Sequence, residues 1–288
     1  MKLVSFQNAA GPVTPGIVAG DSVLDLAALG YPDTRAFIAA GRSGLDIATS
    51  ALASSSERFL ALDRVRLLAP LTNPPRIFAI GLNYQEHAVE SKMKVQVVPT
   101  VFFKLASSIV GDGDAIVLPS ISTQSDYEAE LAVVIGAGGF EISGSDWQRH
   151  VFGYTILNDV SARDIQLATS QWTLGKSFPT FCPLGPWIVT ADEIADPQAL
   201  DIKLTIGGET LQDANTRDLI FKIPALIEYI SSITPLEPGD IISTGTPKGV
   251  GLGRTPQRWL QPDEEIVIEI ASIGTLRNHT IAQKAARA

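Results

Sequence analysis

Glu128 and Glu130 stand two residues apart in the run Ser125-Asp126-Tyr127-Glu128-Ala129-Glu130-Leu131-Ala132-Val133-Val134-Ile135-Gly136. After its acidic start the run is apolar and β-branched, and it closes on glycine, the composition of a strand. Side chains alternate along a strand, so both carboxylates project to one face, with Asp126 on the same side. Ala129, Leu131, Val133 and Ile135 take the other face. Two carboxylates on one face repel each other and are costly to bury without a cation. The chemistry they offer is divalent-metal binding through hard oxygens. The alternative is an edge strand with a solvated face. A second apolar run, Val151 to Asn158, ends on Asp159, a third acidic candidate.

His87 and Glu90 are three residues apart, so one helical turn puts them on a shared face. A carboxylate against an imidazole fixes its tautomer and raises its basicity, as a general base requires. An exposed histidine with a local ion pair would have the same spacing. Arg163 and Gln166 follow Asp159 at helical spacing. Arg163 suits a two-bond clamp on a substrate carboxylate, or a pair with an aspartate that caps the turn. Lys176 is a lone lysine in the loop Trp172 to Phe181, a candidate oxyanion partner or, if desolvated, a Schiff-base amine. Cys182, the single cysteine, reads as a small core residue. The loop Ser243 to Gly251 lacks the lysine placement of a nucleotide phosphate loop, but its hydroxyls and glycine amides suit a carboxylate.

The elements that must position these groups alternate short strands with few helices. Residues 1–70 form a small leading α/β unit: strands over Leu3 to Phe6 and Gly16 to Ala19, a helix around Thr34 to Ala40, a turn at Gly41 to Gly44 and a second helix over Leu45 to Leu62. Leu71 to Pro75 is a joint, and residues 71–288 form a second, larger unit. There Arg76 to Gly81, Val101 to Lys104, the Glu128 run, Val151 to Asp159 and Pro186 to Thr190 read as strands. Lys222 to Ile233 is an amphipathic helix, and Lys92 to Thr100 lacks periodicity and suits a flap over the site. The expected class is mixed α+β, rich in β.

With 45% hydrophobic and 18% charged residues, the 288-residue chain can bury a sizeable core. A formal net charge of −9 argues against nucleic acid or an anionic membrane surface as partner. The N-terminus lacks the apolar core of a signal peptide, and no apolar run reaches about 18 residues, so a cytoplasmic location is expected.

In combination, Gly81-Leu82-Asn83-Tyr84 with His87, Glu128-Ala129-Glu130-Leu131, Asn158-Asp159-Val160-Ser161-Ala162-Arg163-Asp164, Gly175-Lys176-Ser177-Phe178 and Ser243-Thr244-Gly245-Thr246-Pro247 resemble the fumarylacetoacetate hydrolase family, especially its acylpyruvase-like and sugar-acid branches. The likeness spans roughly residues 70 to 280. It implies a rolled β-sheet around a divalent cation held by Glu128, Glu130 and Asp159, with Mg²⁺ expected and Mn²⁺ or Ca²⁺ as substitutes. It further implies that His87 and Glu90 activate water and that Lys176 is catalytic. Arg163, Gln166 and Thr246 would face the substrate, and Thr180 would lie near the metal shell. Asp126 is not implied as a ligand. The implied activity is hydrolysis of a C–C bond in a small 2,4-dioxo acid by a homodimer. Oxaloacetate decarboxylation, 2-hydroxy-dienoate isomerisation and a ureidoglycolate-type lyase reaction share the scaffold, and a non-catalytic cation-binding module is the reading from another class.

Overall fold

A computed structural model of the chain describes residues 1–9, 11–54 and 58–284. Its largest sheet runs, in spatial order, through Phe59–Ala61, Ser22–Asp25, Val13–Ala19, Lys2–Asn8, Cys182–Thr190, Val151–Asn158, Ala129–Ile135, Ile241–Ser243, Ile77–Gly81 and Thr100–Lys104. A five-stranded sheet packs against it, in the order Glu209–Asn215, Asp201–Ile206, Glu265–Ile270, Gly274–Ala282 and Ala115–Leu118. The class is mixed α+β and strand-rich, as expected.

The strand Ala129–Ile135 lies inside the large sheet, antiparallel to both Val151–Asn158 and Ile241–Ser243. All seven of its residues are buried. Leu131, Val133 and Ile135 enter one core cluster, and Ala132 and Val134 enter another on the opposite face. Alternation is therefore present, but both faces are covered, so the solvated-edge reading does not hold. The expected single strand is also broken. Ser125–Asp126 pairs with Ser161–Ala162 in a separate two-stranded ladder, and Tyr127 and Glu128 connect it to the main strand.

No gap in the sheet marks residue 70. Lys2–Asn8 pairs with Cys182–Thr190, and one core cluster joins Leu3, Leu24 and Phe37 to Ile77, Val134 and Phe152. Two local expectations are corrected. Residues 41–44 open a helix, Gly41–Leu52, rather than form a turn before one. Phe59–Ala61 is a strand that pairs with Ser22–Asp25, so the expected helix to Leu62 stops early. Cross-strand burial of Val23 and Leu24 outweighs local helical preference there. The helix Ile223–Ser231 turns Ile223, Leu226, Ile227 and Ile230 into the core. Among the described residues no helix is long and apolar enough to cross a membrane.

Candidate active site

Glu128, Glu130 and Asp159 converge, and their nearest carboxylate oxygens all lie within 4.8 Å of one another. Backbone pairing brings them together. Ala129 sits opposite Asn158 in the ladder, and Asp159 N–H donates to Glu128 O at 2.9 Å. Asn158 reinforces the junction by accepting from Glu128 N–H through Oδ1 at 3.0 Å.

Three buried cations surround this cluster. Lys176 Nζ lies 2.7 Å from Glu128 Oε2 and 2.8 Å from Asp159 Oδ2. Lys104 Nζ lies 2.7 Å from Asp159 Oδ1 and also donates to the carbonyl oxygens of Val160 and Lys176. Arg163 lies 2.6 Å from Glu128 Oε1 and 2.9 Å from Asp126 Oδ2. Burial opposes charge on Glu128, but Lys176, Arg163 and nearby His87 outweigh it and hold the carboxyl below its usual range. Burial likewise opposes charge on Lys176, and Asp159 and Glu128 outweigh it, so its pKa rises. An ammonium stabilised in this way does not supply the free amine of a Schiff base.

Glu130 has a different environment. Its Oε2 accepts from the Ser243 hydroxyl at 2.5 Å and from Gly245 N–H at 2.9 Å. Burial, with the charges of Asp159 and Glu128, pushes its carboxyl well above the usual range. A buried carboxylate with two neutral donors and two like charges has a deficit of positive charge. The three hard oxygen donors thus fit a divalent cation.

His87 and Glu90 occupy the short helix Gln85–Glu90 beyond the strand Ile77–Gly81, and His87 Nδ1 lies 2.9 Å from Glu90 Oε1. His87 is buried and lines the same cavity as Glu128 and Glu130. Gly249 N–H donates to both Glu90 oxygens, at 3.0 and 2.9 Å. The exposed-histidine reading therefore fails. Gln166, Lys176, Thr246 and Arg163 also line the cavity.

The structure gives several of the expected residues partners within the protein. Arg163 contacts Asp126 and Glu128, its Nη1 donates to Gln166 Oε1 at 3.0 Å, and it lines the cavity. The Thr246 hydroxyl donates to Ala129 O at 3.0 Å and accepts from Gln212 Nε2 at 2.8 Å, which engages it in the scaffold. Thr180 does not line the cavity. Its Oγ1 accepts from Val117 N–H at 2.7 Å, which turns it toward the strand Ala115–Leu118. Cys182 is fully buried, and burial pushes its thiol up to about 12, as befits a core residue.

The loop after Ile241–Ser243 does grip carboxylates, but they are the protein's own. Gly245 binds Glu130, Gly249 binds Glu90, and Gly251 and Leu252 N–H bind the two Asp126 oxygens at 2.7 and 3.0 Å. Gly249 needs its left-handed backbone, φ 106°, and a side chain there would strike Leu211 O. Asp126 is thus not one of the three clustered ligand candidates, but it anchors this loop and Arg163 together.

The role of Lys104 escaped the reading of the sequence. Lys104 ends a strand whose Phe102 is buried and Phe103 half exposed. With two adjacent phenylalanines, alternation alone does not say which face is inward. The signal was a lysine two residues from a phenylalanine on one face, legible only once that face is known.

The family described as fumarylacetoacetate (FAA) hydrolase C-terminal matches residues 76–281. Oxaloacetate tautomerase fahd2, mitochondrial, of Xenopus laevis is 42% identical over 98% of this chain and 90% of its own length. The 2,4-didehydro-3-deoxy-L-rhamnonate hydrolase of Sphingomonas sp. (strain SKA58) is 39% identical over 93% of this chain and 92% of its own. Among solved structures, maleylpyruvate hydrolase from Sphingobium sp. SYK-6, in complex with manganese(II) and pyruvate, superposes with a TM-score of 0.84 at 32% identity, covering 99% of this chain and 100% of that one.

Proposed function

The chain belongs to the fumarylacetoacetate hydrolase family, and we propose that within it this protein is a divalent-metal-dependent hydrolase of acylpyruvate-type 2,4-dioxo acids. Its products would be pyruvate or a related 2-oxo acid and a carboxylic acid. The observation that carries this reading is the His87–Glu90 pair at 2.9 Å, bordering the cavity that Glu128 and Glu130 also line. A tautomerase needs only a proton shuttle, whereas a hydrolase needs a base oriented to activate water.

Glu128, Glu130 and Asp159 would hold the cation, and Mg²⁺ suits three hard oxygens, with Mn²⁺ or Ca²⁺ as substitutes. When bound, it would supply the positive charge that draws in the substrate's carboxylate and 2-oxo oxygens and polarises the 2-oxo group. Glu90 holds Nδ1 of His87, which leaves Nε2 to take a proton from water. The resulting hydroxide oxygen adds to the 4-oxo carbon. The bond between C3 and C4 then breaks, and its electron pair remains on the pyruvate fragment as an enolate. The proton on His87 passes to C3, so one water is consumed and two acids result. Lys176 stabilises negative charge as it develops on oxygen. Gln166, its oxygen held by Arg163, presents its amide nitrogen to the substrate carboxylate.

A second reading, enol–keto conversion of oxaloacetate, is favoured by the name of the Xenopus relative. There His87 would move a proton between carbon and oxygen without activating water. The test is turnover of a panel of acylpyruvates and enol oxaloacetate, with Mg²⁺, after chelation and after Mg²⁺ is restored. Chelatable C–C cleavage of an acylpyruvate is expected. Conversion of oxaloacetate without cleavage of any acylpyruvate would replace the hydrolase reading with the tautomerase. No turnover of either would leave a cation-binding module.

A further inference from the structure

Glu90 is the last residue of the six-residue helix Gln85–Glu90, which is shorter than a helix that is stable by itself. Among the described residues, its carboxylate has two hydrogen-bonding partners: His87 Nδ1 on Oε1 and Gly249 N–H on both oxygens. The direction in which Glu90 faces His87 therefore depends on where Gly249 points its N–H. Glycine has more backbone freedom than any other residue, so that N–H stays aimed only if the chain on the far side of Gly249 is held.

Two side chains supply the hold. The Tyr127 hydroxyl donates to Gly249 O at 2.9 Å, and the single Nε–H of Arg254 is shared between Gly249 O and Tyr127 Oη, at 3.2 Å each. Arg254 Nη2 also donates to Leu211 O at 3.0 Å, the atom against which Gly249 packs. Both mounts are firm. Tyr127 is fully buried between Asp126 and Glu128 in the chain, and the Arg258 guanidinium lies 5.7 Å from its ring centroid. Leu211 belongs to the strand Glu209–Asn215 of the five-stranded sheet. A charged donor makes a stronger hydrogen bond than a neutral one, so Arg254 should carry the larger share. Neither Arg254 nor Tyr127 lines the cavity, so neither reaches a substrate directly.

We propose that Arg254 and Tyr127 are positioning residues for the base. By holding the Gly249 carbonyl they aim the Gly249 N–H at Glu90, and Glu90 fixes His87 with its proton on Nδ1 and Nε2 free to accept one. This assignment rests on the reading of His87 as the base.

The experiment reads tautomer and turnover separately. The chain has three histidines, so the ring nitrogens of His87 can be followed by ¹⁵N NMR of the full chain labelled at histidine. They are assigned by their loss in His87→Gln and read at a pH above the transition seen in the same spectra. The wild type should show the Nδ1–H tautomer, and Arg254→Met and Tyr127→Phe should shift it toward a mixture. With Mg²⁺, acylpyruvate kcat should fall about tenfold in Arg254→Met and less in Tyr127→Phe, with KM within about twofold, and Arg254→Lys should restore most of the rate. Added to Glu90→Gln, Arg254→Met should cost at most about twofold more, because both changes act through one contact. A wild type without a dominant Nδ1–H tautomer, a rate loss with the tautomer unchanged, or a full further loss in the double variant would overturn the assignment. Tyr127→Phe removes one oxygen from a buried ring, so it decides the matter if Arg254→Met does not fold. If no acylpyruvate is cleaved, the hydrolase reading fails, and the nitrogen spectra decide by themselves. A mixture of tautomers in the variants would uphold the positioning role, and an unchanged Nδ1–H tautomer would overturn it.

Discussion

The carboxylate cluster and the His87–Glu90 pair face one cavity but are built differently. Glu128, Glu130 and Asp159 sit at the junction of two central strands, with Lys104, Lys176 and Arg163 packed against them. His87 and Glu90 occupy a six-residue helix, which leads into a segment where Val97 is 95% exposed. Glu90 is fastened to the remaining framework through Gly249 N–H. The contrast shows how the labour divides. On the proposed function, the groups that hold a fixed charge arrangement sit at strand ends amid ion pairs, whereas the group assigned to move protons is carried on a small element. Substitutions on the two sides should therefore fail in different ways.

The largest separation is expected from Glu130→Gln. It should abolish detectable metal binding by calorimetry, and with it turnover. The same change should raise the melting temperature of the chelated protein by a few degrees at neutral pH, because it removes a buried charge beside two others. The sign follows from linkage. The Glu130 carboxyl is raised above its usual 4.5, so the folded chain holds that proton more tightly than the unfolded chain does. Its contribution to stability is complete below pH 4.5 and is lost as pH rises through the folded value. Chelated wild type should lose stability in that window, and Glu130→Gln should lose less. A Gln variant that melts lower than chelated wild type at neutral pH would contradict this.

On the other side, His87→Ala should reduce acylpyruvate turnover about 10²- to 10⁴-fold with metal affinity unchanged. Near-wild-type hydrolysis would remove His87 as the base. Lys104→Met comes next. Its ammonium holds Asp159, a proposed ligand, and the Lys176 carbonyl, so metal affinity should drop about 10- to 100-fold, whereas Lys176→Met should lower kcat more than metal affinity. Equal effects of the two variants on affinity would merge roles that the geometry separates. The smallest effect on the metal is expected from Asp126→Asn, which should retain metal binding but destabilise the fold by about 3 kcal/mol, read from urea unfolding. Asp126 supports Arg163 and two loop amides instead of joining the cluster. Loss of metal affinity greater than that in Glu128→Gln would mean that Asp126 belongs among the ligands.

The chemical types and local spacings were legible from residue order. Glu128 and Glu130 at strand spacing, Asp159 at the end of a strand and His87 three residues before Glu90 all reflect repeats set by the backbone. The same periodicity located most strands and the helix Ile223–Ser231. Where Asp126 went was not legible, because strand alternation assumes an unbroken strand, and the chain leaves the ladder at Tyr127 and Glu128.

Partner choice belonged to the three-dimensional packing. Arg163 and Lys176 had the chemistry to meet a substrate, and the glycine amides of the loop had the chemistry to hold an anion. In the folded chain Arg163 and Lys176 meet Asp126 and Glu128, and the loop meets Glu130, Glu90 and Asp126 across more than a hundred residues of chain. A buried charge must be compensated by whatever is closest, and distance along the chain does not determine distance in space. For the same reason the cavity, lined by residues as far apart in the chain as His87, Glu128, Trp172 and Leu252, has no counterpart in any one stretch of sequence.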